Sequence, residues 1–141
     1  MIQSELMTKI EHIGIAVANL EASNLLFAKL FGNPPYKEEE VISEGVKTSF
    51  FMNGPNKIEL LEATNPDSPI AKFLEKKGEG IHHIAFAVED INLEIDRLKK
   101  EGFVVLNDIP KKGADNKLVA FLHPKGTNGV LIELCQEINE K

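Results

Sequence analysis

Cysteine is nearly absent from this chain: Cys135 stands alone among 141 residues, so no internal disulfide can form. A reducing compartment is the expected setting. A basic excess is missing too, because 16 Lys and Arg face 22 Asp and Glu, for a net charge of −6. That balance argues against a nucleic-acid partner, whose phosphates select a basic surface, but not against small anionic substrates, which respond to local charge. No stretch comes near the roughly 18 uninterrupted apolar residues of a membrane span. The opening MIQSELMTKIEH has neither the apolar core of a signal peptide nor the arginines of a transit peptide, so a cytoplasmic location is expected and no membrane partner. Low-complexity tracts are lacking as well. What remains, with 43% hydrophobic residues, suffices for one domain with its own core or two small modules sharing one.

What is present is a repeat. IEHIGIAV, with His12, and IHHIAFAV, with His83, are near copies, and each is followed about fifty residues later by an apolar segment carrying one carboxylate: Glu59 in KIELL and Glu133 in VLIELC. Read as strands, these copies place His12, Gly14 and Ala16 opposite Ile13, Ile15 and Val17, and His83, Ala85 and Ala87 opposite Ile84, Phe86 and Val88. The β-branched and aromatic face wants a core; the face of one His and two small residues floors a pocket.

Each strand leads into a helix signal. Asn19 caps a helix whose Leu20, Leu26, Phe27, Leu30 and Phe31 form the expected apolar stripe, stopped by Gly32; Asp90 begins another with Ile91, Ile95 and Leu98 inward, closed by Gly102. Three strands are expected after each helix, at 36–42, 46–52 and 57–63, then at 103–109, 117–122 and 129–135. Between the halves, Ser68 caps a short connector helix with Pro69 in its first turn, Ile70, Phe73 and Leu74 inward, and Gly78 as stop.

In a βαβββ unit the first and last strands can lie side by side, pairing His12 with Glu59 and His83 with Glu133. Two units about a pseudo-twofold axis would bring both pairs to one ion. Imidazole and carboxylate suit Zn, Ni, Co, Fe, Mn or Mg, and four such ligands leave two octahedral positions open for water or substrate. Taken singly, a His at a strand start is more often structural than metal-binding, and a Glu amid Ile and Leu can simply point to solvent from a half-exposed strand. The matched pairs favour a metal, since a buried carboxylate with no basic residue next to it needs a cation. His82 faces away from His83 and reads as structural or supporting. His123 reads as a turn or rim residue, and Cys135, on the face of Glu133, as small packing.

These segments resemble the vicinal oxygen chelate superfamily, of α+β fold, whose members pair βαβββ modules into a curved sheet cup around a divalent metal. Within it the chain is most similar to the methylmalonyl-CoA epimerase family, from about residue 9 to 136, on HIGIAV, KIELLEATNPDSPIAKFLEKKGEGIHHIAFAVEDI and AFLHPKGTNGVLIELCQ. The resemblance implies one domain over 1–141, with modules at about 9–64 and 80–136 and a connector at about 65–79. It implies the ligands His12, Glu59, His83 and Glu133, the second at a place where relatives also carry Gln. It further implies epimerisation at C2 of an acyl-CoA substrate through an enolate, with Glu133 as base, and a homodimer. Some epimerases use a second glutamate on the strand after a Gly-Val pair. Here Gly45-Val46 puts Thr48 at that place, leaving Glu44 as the nearest substitute.

Lys111, Lys112, Lys117 and Lys125 face only Asp115 within 110–126, a local cationic stretch suited to the coenzyme's phosphates or to plain solvation. Three rivals remain. Glyoxalase I shares the His-Glu-His-Glu plan, although its last strand usually follows an Asp-Pro-Asp-Gly type turn where this chain has HPKGTNGV. A metal-free binding module of the same fold is the second, disfavoured by four filled ligand positions. An extradiol dioxygenase, with two His and one carboxylate around iron, fits least.

Overall fold

The computed structural model describes residues 7–138. The chain divides into two compact units, residues 12–82 and residues 1–11 with 83–141. Residues 1–6 and 139–141, the ends of the expected domain, lie outside the described residues.

The strands and helices of the first repeat are β1 (Met7–Ala16), α1 (Leu20–Phe31), β2 (Lys37–Val41), β3 (Val46–Asn53) and β4 (Asn56–Ala63), followed by α2 (Pro69–Lys77). β2, β3, β4 and β1 lie in that order; β1 runs parallel to β4, and the other pairs are antiparallel. The register sets Ile13 beside Ile58, Gly14 beside Glu59 and Ala16 beside Leu61. Ile15, Val17, Phe51 and Leu60 pack with Leu20, Phe27 and Phe31 of α1 on one face. The opposite face carries Ala16, Val46 and Leu61, which pack with Ile70, Phe73 and Leu74 of α2. The alternation in HIGIAV divides as the sequence predicts.

Helix boundaries follow the caps. Asn19 accepts from the Ala22 amide, and Gly32 ends α1 at φ 83°, a left-handed turn that only glycine adopts without cost. Ser68 accepts from the Ala71 amide at the start of α2. The expected stripe of α1 is corrected in part: Leu20, Phe27 and Phe31 turn inward, while Leu26 and Leu30 are 62% and 68% exposed. At 100° per residue, positions 20, 27 and 31 share a line that 26 and 30 leave. The charged run Lys37–Val41 does form a strand; β2 lies at the sheet edge, where charged side chains discourage further pairing.

The second repeat comprises β5 (Gly80–Val88), α3 (Ile91–Lys100), β6 (Lys111–Lys112), β7 (Lys117–Leu122) and β8 (Ile132–Glu137). Here β5, β8, β7 and β6 lie in order, with β5 parallel to β8. Val88, Ala120, Leu122 and Leu134 pack with Ile91, Ile95 and Leu98 of α3. Glu94 of α3 is also buried, held by two hydrogen bonds of 2.8 and 2.9 Å from the Arg97 guanidinium. The Glu94 carboxylate raises the Arg97 pKa above its ordinary value, against the lowering from burial.

Two expected strands are corrected. Residues 103–109 form no regular strand, only a bridge between Val105 and Leu122. Two backbone hydrogen bonds, from the Leu106 amide to the Phe121 carbonyl and from the His123 amide to the Val104 carbonyl, flank that bridge, and beyond them the Asn107 side chain takes over: it donates to the carbonyls of Val119 and Ile109 and accepts from the Phe121 amide. Pro110 has no amide to continue it, and pairing resumes only at β6. The last strand starts at Ile132 rather than Gly129, because residues 124–127 form a helical turn that Gly129 closes by donating to the Pro124 carbonyl.

Candidate functional site

Each unit carries a buried histidine–glutamate contact. Where β1 runs beside β4, His12 Nε2 lies 2.9 Å from Glu59 Oε1, and the residues are 6% and 4% exposed. Where β5 runs beside β8, His83 Nε2 lies 3.0 Å from Glu133 Oε1, with 4% and 7% exposure. Parallel pairing explains both. It places Gly14 beside Glu59 and Ala85 beside Glu133, and small side chains there leave room for a histidine two residues earlier to reach the carboxylate.

The repetition extends to a residue pair that sequence reading missed. On the antiparallel side of each carboxylate strand stands a phenylalanine: Phe50 opposite Glu59 and Phe121 opposite Glu133. Phe121 meets the His83 ring edge-on, with centroids 6.2 Å apart and planes at 89°. The segments TSFF and VAFL held this signal, a second apolar strand with Phe at the level of Glu.

The donor set fits a metal ion. Neighbouring donors on a six-coordinate ion with bonds of about 2.1 Å stand about 3.0 Å apart, the separation found in both pairs. The nitrogens and oxygens offered suit Zn, Co, Ni, Mn or Mg. Buried carboxylates of this kind need cationic compensation. Lys57 belongs in that balance for the first pair, since it lies two residues before Glu59 on the same strand face and is itself buried.

Other expected residues occupy varied places. Thr48 is fully buried on the face of Phe50, with its hydroxyl donating to the Glu39 carbonyl. Glu44 sits in the helical turn before β3, beyond Val46, which is four residues or about 13 Å of strand from the Phe50–Glu59 level. Lys111 and Lys112 form β6, and Lys117 opens β7 beside them; Lys125 lies past the opposite end of β7. His82 packs edge-on to Phe73 at 5.0 Å, and His123 Nδ1 accepts from the Lys125 amide, a turn role as expected. Cys135 is buried with Ala85 and Val119.

The model for the Glyoxalase/Bleomycin resistance protein/Dioxygenase superfamily matches residues 11–121. The chain belongs to that superfamily. It is 46% identical over 131 residues to the ethylmalonyl-CoA/methylmalonyl-CoA epimerase of Cereibacter sphaeroides, covering 91% of this chain and 97% of that protein. Among solved structures it is similar to methylmalonyl-CoA epimerase from Mycobacterium tuberculosis, with a TM-score of 0.92, 31% identity, and coverage of 99% and 94% of the two chains. It is likewise similar to a variant of Streptomyces coelicolor methylmalonyl-CoA epimerase in complex with 2-nitronate-propionyl-CoA, with a TM-score of 0.89, 34% identity, and coverage of 94% and 99%. The vicinal oxygen chelate fold is thereby shown. Among the described residues no helix is long and apolar enough to cross a membrane.

Proposed function

We propose that this chain epimerises methylmalonyl-CoA at C2, with His12, Glu59, His83 and Glu133 sharing one divalent ion. The observation that carries the reading is the matched pair of buried His–Glu contacts, at 2.9 and 3.0 Å, in a chain whose relatives bear that activity in their names. When bound, such an ion polarises a carbonyl and so makes the neighbouring C–H acidic.

Inversion requires a proton removed from one face of C2 and another returned on the opposite face. Glu133 takes the first role, beside His83, whose ring meets Phe121 edge-on. Glu59, the equivalent carboxylate of the other repeat, is the favoured group for returning the proton. Glu44, set beyond the start of β3, is the less favoured second base. Phe50 and Phe121 beside the carboxylates keep the reacting carbon away from water. Lys111, Lys112 and Lys117, clustered at one end of β7, are suited to the coenzyme's phosphates, and Lys125 stands apart from them. A homodimer and a cytoplasmic location complete the reading.

The test offers the ion-loaded protein both methylmalonyl-CoA and the hemithioacetal of methylglyoxal and glutathione. Interconversion of the C2 epimers without lactoylglutathione formation supports the proposal; the reverse outcome replaces it with a glyoxalase activity.

A further inference from the structure

On the sheet face of the first unit turned away from Glu59, α1 and the strands border a cavity of about 370 Å³ whose lining includes Leu20, Glu21 and Asn24 of α1, Glu38 of β2, Lys47 of β3 and Glu62 of β4. Three carboxylates face one ammonium there. An acidic lining alone specifies no ligand, but two buried oxygens beside it do. Among the described residues, the buried side-chain polar atoms without a hydrogen-bond partner are Asn24 Oδ1 and Ser49 Oγ. Asn24 lines the cavity, with its Nδ2 donating to Glu38 Oε2 at 3.2 Å. Ser49 is 0% exposed and stands opposite Glu38 in the ladder, two residues from Lys47 on the same strand face. Leu20 and Lys47 share the cavity at one end, and Phe27 packs on Phe51 at the other. Asn24 and Ser49, midway along each element, therefore face one another beneath α1.

A buried acceptor and a buried hydroxyl without partners are each costly. Turning the Asn24 amide over about its last side-chain bond relieves both. Nδ2 then faces Ser49 Oγ, which can accept from it, and Oδ1 turns toward the cavity. That orientation sets Oδ1 against the Glu38 carboxylate, two acceptors in contact, which only a cation between them permits. Lys47 does not fill this role: its Nζ lies 3.9 Å from Glu38 Oε1, its side chain is 49% exposed, and Glu40 and Glu62 flank it in the ladder. The anionic and acceptor groups of this lining are oxygens, which select a hard cation. The three carboxylates belong to three elements and do not converge as chelating ligands. An ion held among them keeps much of its water, as magnesium does, and the cavity exceeds the roughly 180 Å³ that six waters occupy.

We infer that this cavity is a second cation site, for a hydrated ion of the magnesium class, with Glu38 as direct ligand, the overturned Asn24 Oδ1 facing the ion, and Glu21 and Glu62 holding its waters. Its oxygen donors and its place on the opposite sheet face distinguish it from the His–Glu donor set. The ion ties α1 to β2 and β4, and the amide that turns over to meet it pairs the Ser49 hydroxyl.

The test titrates magnesium chloride into the full chain and follows it by proton–nitrogen nuclear magnetic resonance. The Asn24 side-chain amide and the Ser49 backbone amide should move together along one saturable curve. Glu38→Gln removes the charged ligand and should weaken that curve about tenfold or more. Ser49→Ala removes the group that receives the turned amide and should weaken it about fivefold, while the ion-free melting temperature rises because an unpaired buried hydroxyl is gone. Shifts that never saturate, a curve unchanged in Glu38→Gln, or shifts confined to the strands of His12 and Glu59 would overturn the inference. Spermidine moving the same two resonances while magnesium leaves them still would overturn it as well, in favour of an organic cation.

Discussion

If four side chains share one ion, removing either histidine should abolish nearly all of the metal-dependent stability. At cobalt a hundredfold above its dissociation constant, binding to the folded state adds about 2.7 kcal/mol. A chain of 141 residues unfolds with an entropy of about 0.3 kcal/mol/K, so the melting temperature should rise by about 9 °C. Suppose His12→Ala or His83→Ala weakens binding a hundredfold. The same cobalt concentration then adds only about 0.4 kcal/mol, or about 1 °C. Each substitution also strands a buried glutamate, since Glu59 and Glu133 lie 2.9 and 3.0 Å from the histidines removed, and the ion-free baseline falls by about 1–3 kcal/mol. The comparison therefore uses the difference between loaded and chelator-treated samples of each protein, by differential scanning calorimetry, with bound cobalt counted by elemental analysis. One ion per wild-type chain and loss of the shift in both variants is the expected result. Two ions per chain, with either variant retaining half the shift, would refute a shared centre.

Other consequences follow from particular contacts. Glu133→Gln should reduce C2 deuterium exchange by at least about a hundredfold while cobalt remains bound, because the amide keeps an oxygen donor but cannot take a proton; exchange within tenfold of wild type would remove Glu133 as base. Asn107→Ala deletes three hydrogen bonds between its side chain and the backbone, and should cost about 1–3 kcal/mol in a urea titration. Phe51→Ala empties a fully buried site between Phe27 and Phe31, with centroids 6.4 and 5.6 Å away, and should cost about 3–5 kcal/mol by the same assay.

Much of this architecture was legible because its signals are local. Asn19, Ser68 and Asp90 each cap the helix that their position predicted, and the two-residue alternation in HIGIAV and HHIAFAV separated the face that carries the histidine from the face that packs on α1 or α3. His12 with Glu59 and His83 with Glu133 could be paired from the repeat alone. The misses depend on partners distant in sequence. Residues 103–109 have the apolar content of a strand, yet backbone pairing stops after Leu106, where the Asn107 side chain takes the place of the next ladder bonds, which no periodicity reveals. Leu26 and Leu30 looked like core until the position of the sheet fixed which side of α1 is covered.

The most direct test places cobalt-loaded protein with one epimer of methylmalonyl-CoA in deuterium oxide and follows the C2 proton by nuclear magnetic resonance. The account predicts deuterium at C2 together with the opposite epimer, both lost on chelation and restored by cobalt. A folded protein holding one ion per chain that leaves the C2 proton and the epimer ratio untouched would contradict it.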